Sequence, residues 1–139
     1  MALTYNGNVD SWDEWLSLKK KGYTSVSGYF YCNSNKLTTL KGCPESVSGN
    51  FDCSYNKLPS LVGGPDSVGG NFYCGHNKLT SLVGSPKSVG GSFDCSRNNL
   101  TSFVGSPKSV GGSFYCKGNK LTDKTQVFYK LKFGDNFII

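Results

Sequence analysis

Hydrophobic and polar positions repeat along this chain with a period of 21 residues. The block SVGGNFYCGHNKLTSLVGSPK, from Ser67 to Lys87, recurs from Ser25, Ser46 and Ser88, and again in part from Ser109. Aligning the copies produces columns. Phe30, Phe51, Phe72, Phe93 and Phe114 form one column, and Cys32, Cys53, Cys74, Cys95 and Cys116 form a second, two residues later. Side chains two apart on a strand share a face, so the Phe and Cys columns are predicted to point inward from one strand per copy. Three residues after each Cys stands an asparagine, from Asn35 to Asn119, where amides can satisfy backbone groups as the chain turns off the strand. Leu37, Leu58, Leu79, Leu100 and Leu121 follow, then Leu40, Leu61, Leu82 and Phe103. Pro44, Pro65, Pro86 and Pro107 come next, and Val26, Val47, Val68, Val89 and Val110 close each circuit just before the glycines. A fixed period of this size marks a solenoid, in which each unit stacks on the next.

The pattern changes at both ends. Leu3 and Tyr5 alternate with polar residues and predict a short first strand. Ser11 and Glu14 have the spacing of a capping box at a helix start. Trp12, Trp15 and Leu16 share one face of that helix, Lys19, Lys20 and Lys21 fall in its last turn, and Gly22 follows as the C′ residue. This segment reads as a cap over the first rung. Whether Trp12 or Trp15 also meets a partner is left open. After Thr122 the repeat breaks. Val127, Phe128 and Leu131 suit a helix, whereas Val127, Tyr129, Leu131 and Phe133 suit a strand, and pattern alone does not separate the two. The stretch from Asp135 to Ile139 mimics Gly112 to Cys116 at a spacing of 23, which predicts a final strand with Phe137 and Ile139 inward. The chain thus divides into an N-terminal cap (1–24), five repeats (25–121) and a C-terminal cap (122–139) within a single domain.

The run Phe93-x-Cys95-x-x-Asn98-x-Leu100 resembles the leucine-rich-repeat pattern LxxLxLxxNxL, with Phe and Cys at positions usually held by Leu. The short copy, with its Pro and Gly-Gly, looks like the repeats of bacterial and bacteriophage-encoded members. The resemblance covers residues 25 to about 121, and it implies a binding scaffold and not an enzyme. The expected fold is therefore an α/β solenoid: a leucine-rich-repeat-like coil with one parallel β-sheet, helical N-terminal cap and C-terminal cap ending in a strand. The crossover rule makes that coil right-handed.

Composition changes this picture little. The 18 glycines fall at fixed offsets and read as turns, and the 14% aromatic content argues against disorder. The net charge of +6 favours an anionic partner only mildly. The start, MALTYNGNVDSW, has neither a basic region nor an apolar one, and no apolar run approaches the ~20 residues of a membrane helix. Of six cysteines, five form an inward column and only Cys43 stands outside it, so reduced thiols and a cytoplasmic protein are expected. In a phage-encoded chain that cytoplasm would be the host's.

Between Phe and Cys lies an outward position that reads Tyr31, Asp52, Tyr73, Asp94, Tyr115. Neighbouring strands lie ~4.8 Å apart, so these side chains form a row. Tyr29 flanks the row, and Tyr55, His76 and Arg97 lie beyond the cysteines. Together these nine residues are the candidate partner-binding strip, because Tyr, Arg and His supply contact area and hydrogen bonds at interfaces. A second row, Lys36, Lys57, Lys78 and Lys120, is basic and reads first as a solubilising edge. No phosphate-binding Gly-Lys loop and no zinc-type C-x2-C spacing occurs, so no cofactor, metal or catalytic residue is assigned. A protein partner is the leading expectation, a phage-encoded inhibitor or adaptor of a host protein being the form the resemblance suggests. Two alternatives stand behind it: self-assembly by end-to-end stacking, with the edge at Phe137 to Ile139, and nucleic-acid binding through the basic C-terminal half. No membrane partner is expected, and the choice between a monomer and an end-to-end oligomer stays open.

Overall fold

The structure is a computed structural model that describes residues 2–139. The elements run β1 (Leu3–Tyr5), α1 (Trp12–Lys20), β2 (Tyr23–Val26), β3 (Phe30–Tyr31), β4 (Ser46–Val47), β5 (Phe51–Asp52), β6 (Ser67–Val68) and β7 (Phe72–Tyr73). They continue with β8 (Ser88–Val89), β9 (Phe93–Asp94), β10 (Ser109–Val110), β11 (Phe114–Tyr115), α2 (Asp123–Phe133), a 3-10 turn at Gly134–Asn136 and β12 (Phe137–Ile138). Among the described residues, each copy supplies two short strands, and the strands assemble into two parallel six-stranded sheets. One, the Ser-Val sheet, has the order β1-β2-β4-β6-β8-β10, and the other, the Phe sheet, runs β12-β11-β9-β7-β5-β3. The architecture is that of a repeat solenoid.

The expected single sheet is thus corrected to two. The valines that close each circuit lie on extended backbone, and that backbone pairs with its neighbours: Ser46 with Ser25 and Val47 with Val26, repeated to Ser109 and Val110. The Phe sheet keeps the same 21-residue register, Phe30 on Phe51 through to Phe93 on Phe114. A glycine-rich corner joins the two sheets. A Cβ at Gly91 would overlap Asn71 Oδ1, the acceptor that holds the Ser92 N–H at 2.7 Å, so this corner closes only around a bare backbone.

The core is a set of stacked columns. The five phenylalanines are buried, with successive ring centroids 5.1–5.4 Å apart and planes 5–7° apart, opening to 25° between Phe93 and Phe114. The five column cysteines are buried beside them, and Val26, Val47, Val68 and Val89 face them from the other sheet. The irregular connection contributes Leu40, Leu58, Leu61, Leu79, Leu82, Leu100 and Phe103. Asparagines tie the rungs together where the strands end. Asn77 Oδ1 accepts from the Leu58 N–H at 3.0 Å, and Asn77 Nδ2 donates to the carbonyls of Cys53 at 3.0 Å and Cys74 at 3.2 Å. One side chain thereby satisfies three main-chain groups on two rungs, a role that an apolar residue would leave vacant.

The caps are where details depart from expectation. Ser11 Oγ accepts from the Glu14 N–H at 3.1 Å, but the Glu14 carboxylate returns to the Asp10 N–H at 2.9 Å, one residue earlier than in a standard capping box. Trp15 is buried edge-on to Phe30, Trp12 also packs against Phe30, and Leu18 is the other buried side chain of α1. Leu16 does not share the buried face as expected and is 40% exposed. Gly22 does stand just past the helix at φ +94°. Residues 123–133 are a helix, which settles the ambiguity at that end. The Thr122 hydroxyl caps it by accepting from the Thr125 N–H at 3.3 Å. β12 pairs Phe137 with Phe114 at the anticipated 23-residue spacing, and Phe137 is buried. Ile139 is instead 52% exposed, because the strand ends at Ile138 before the inward alternation can resume. No helix among the described residues is long and apolar enough to cross a membrane.

Candidate functional site

The outer face of the Phe sheet carries the row Tyr31, Asp52, Tyr73, Asp94 and Tyr115, all partly or fully exposed while their Phe and Cys neighbours are buried. Six of the nine expected residues come together in one groove: Asp52, Tyr55, Tyr73, His76, Asp94 and Arg97. Its volume is about 410 Å³. Tyr29 and Tyr31 lie outside the groove, stacked on each other at 4.2 Å, and Tyr115 is likewise not part of its lining.

Two local devices fix the groove. The first acts at its carboxylates. Asp52 Oδ1 accepts from the Ser54 N–H at 2.9 Å, and Asp94 Oδ1 accepts in the same way from the Ser96 N–H at 2.9 Å. Each aspartate is thereby held against its own strand end, leaving its other oxygen for a ligand. Tyr73 is held similarly, its hydroxyl accepting from Asn71 Nδ2 at 2.9 Å. The second device is in the backbone. Two residues after each column cysteine the chain enters the left-handed region: Ser34, Tyr55, His76 and Arg97 have φ of 57°, 55°, 54° and 55°, and Gly118 has 74°. This region disfavours side chains with a Cβ, and bulky ones such as Tyr rarely adopt it. The Tyr55 and His76 rings stack at 4.1 Å with planes 14° apart, forming a continuous aromatic edge.

Sequence reasoning missed part of the lining. Ser54, Gly75, Ser96 and Lys117 also border the groove. All four stand one residue after a column cysteine, so the same column logic that found Tyr55 and His76 would have found them. Gly75 opens the floor between Ser54 and Ser96, where a Cβ would come within 3.2 Å of the Ser96 carbonyl oxygen. A larger hollow of about 560 Å³ runs along the Ser-Val sheet, lined by the serine column Ser46, Ser67, Ser88 and Ser109 with valines and corner glycines. It presents small hydroxyls and backbone, with no charged or aromatic group.

Two kinds of titrating group respond to these surroundings. The Tyr29 hydroxyl donates to Asp10 Oδ1 at 2.7 Å, and this bond to a carboxylate raises its pKa above the ordinary value. Burial holds the thiols of Cys53, Cys74 and Cys95 well above their usual range, and it lifts Cys116 to about 12. Cys32 is raised first by its hydrogen bond with the Cys43 thiol and then by burial. All six cysteines are free thiols. Among the described residues no group of three His, Cys, Asp or Glu side chains is placed to hold a metal ion. The arrangement gathers two fixed carboxylates, a stacked aromatic edge and a guanidinium in one groove.

Comparison of the chain with protein families, with curated proteins and with solved structures finds no match.

Proposed function

We propose that this protein is a non-catalytic, leucine-rich-repeat-like scaffold that binds a protein partner through the outer face of its Phe sheet. The observation that carries this reading is the left-handed column. Gly118 occupies the position in the fifth copy, and glycine is the residue that suits it. Tyr55, His76 and Arg97 sit there instead, in a conformation that costs roughly 1–2 kcal/mol per residue. Three bulky side chains held against backbone preference, and opening into one groove, are side chains retained for contact. The residue types support the same reading, since Tyr and Arg concentrate at the energetic centres of protein interfaces. The short repeat favours a phage-encoded inhibitor or adaptor acting on a host protein in the cytoplasm.

The test is capture from a lysate of the source cell, or of the host for a phage protein, with the purified chain as bait. One stoichiometric protein should be retained by the wild type and lost by the double variant Tyr73→Ala, Arg97→Ala, with the circular dichroism of bait unchanged. Capture that survives the double variant would remove the groove from the interface.

A further inference from the structure

α2 is poorly covered by the rest of the chain. Tyr129 and Phe133 rest on the last two copies, where the Tyr129 hydroxyl donates to the Phe103 carbonyl at 3.3 Å and the Phe133 ring stacks on Phe114 at 5.1 Å. No side chain of this helix is fully buried. Its opposite face presents Val127, Phe128 and Leu131, exposed by 60%, 61% and 82%. Ile139, 52% exposed, continues the patch. Between α2 and β12 lies a hollow of about 540 Å³, with Val127, Leu131, Phe137 and Ile139 along its length and both Asp123 and Lys130 in its wall. A contiguous apolar patch with a charged rim is a signature of an association site.

We propose that this face is a two-fold dimer interface, in which α2 of a second copy packs antiparallel on α2 of the first. The charges select this occupant. Asp123 and Lys130 are seven residues apart, so they lie on one flank of the helix about two turns from each other. A two-fold axis passing near Val127 brings Asp123 of each helix opposite Lys130 of the other, making two equivalent ion pairs around an apolar centre. The existing bond from Lys130 to Asp135, 3.4 Å long and solvent-exposed, leaves the lysine free to be shared. Leu131 of each copy supplies the ridge that fills the partner's hollow. A lipid surface fits less well, since it offers no ridge to fill the hollow and no carboxylate to meet Lys130 or cation to meet Asp123 in a fixed pair. This interface lies at the end of the solenoid, so the groove of the Phe sheet stays open in the dimer. A two-fold contact also closes on itself, unlike head-to-tail stacking of solenoid ends.

The experiment is sedimentation of the purified full chain across a concentration series. Wild type should pass from monomer to dimer with a Kd on the order of 10–100 µM and go no further. Leu131→Glu should remain monomeric throughout, with an unchanged circular dichroism spectrum. Asp123→Lys and Lys130→Asp should each weaken the dimer about fivefold, and the double charge swap should restore it. Four results would overturn the proposal: a wild type that stays monomeric, a dimer that survives Leu131→Glu, oligomers that keep growing with concentration, or a monomer that instead co-sediments with phosphatidylserine vesicles. Because Leu131 lies outside the groove, loss of the dimer without loss of captured partner separates this interface from the binding face.

Discussion

The two sheets of this solenoid share a period and a register, yet only one of them carries the candidate site. The Ser-Val sheet turns small valines inward and serines outward. The Phe sheet turns stacked rings and thiols inward and a row of Tyr and Asp outward. The difference lies in how each strand ends. After Ser-Val comes a glycine corner that turns tightly against the rung before it. After Phe-x-Cys comes a left-handed residue that swings a side chain out beside the strand. A parallel ladder is therefore a neutral frame, and the site arises where a strand end is allowed to carry a large residue.

The sharpest way to break this contrast is in the core. Phe72→Ala should destabilise by roughly 3–5 kcal/mol, whereas Val68→Ala on the facing sheet should cost only about 2 kcal/mol, both read from urea unfolding. Equal losses would mean that the two sheets contribute alike and that the Phe column is not the spine. The thiols sharpen the contrast next. In the unfolded chain they ionise near 9.0, but in the folded chain burial holds them protonated, Cys116 to about 12. Above the unfolded value the unfolded state therefore binds fewer protons, so stability falls as pH rises above 9.0, and for Cys116 the fall runs to about 12. Unfolding midpoints measured from pH 8 upward should fall, and should fall less steeply in Cys74→Ala. A flat profile would show the thiols to be solvated. The smallest effect has the opposite sign. Arg97→Gly should stabilise the fold by about 1 kcal/mol, by relieving the left-handed strain, while reducing partner capture. A variant that is both less stable and fully competent would mean the residue serves the fold and not the surface.

Much of the fold is legible in the amino-acid sequence, because a repeat writes the same instruction several times. The Phe, Cys and Asn columns, the 23-residue final step and the capping serine of α1 all come from spacing, since each obeys a local rule that stacking only reinforces. The second sheet is not legible there. A strand of two residues, Ser-Val, carries no alternation to detect, and its pairing is created by the neighbouring rungs and not by its own sequence. Leu16 fails for a similar reason. Helical periodicity places it with Trp15, but the position of α1 over Phe30 selects Leu18 in its stead. At the site, the candidate residues are visible as outward columns, but their grouping is not. That grouping depends on the left-handed turn after each cysteine, which Tyr, His and Arg disguise and which only Gly118 advertises.

The in-register ladder has one more consequence, and it concerns length. Every group on the Phe face is displaced from its counterpart on the next rung by the same step, ~4.8 Å, so Asp52 and Asp94, two rungs apart, stand ~10 Å from each other with Tyr73 midway. The face is a ruler. A partner that fits it must carry its own donors and rings at whole multiples of that step. Inserting or removing one 21-residue copy would lengthen or shorten the scale by a single graduation without changing its spacing.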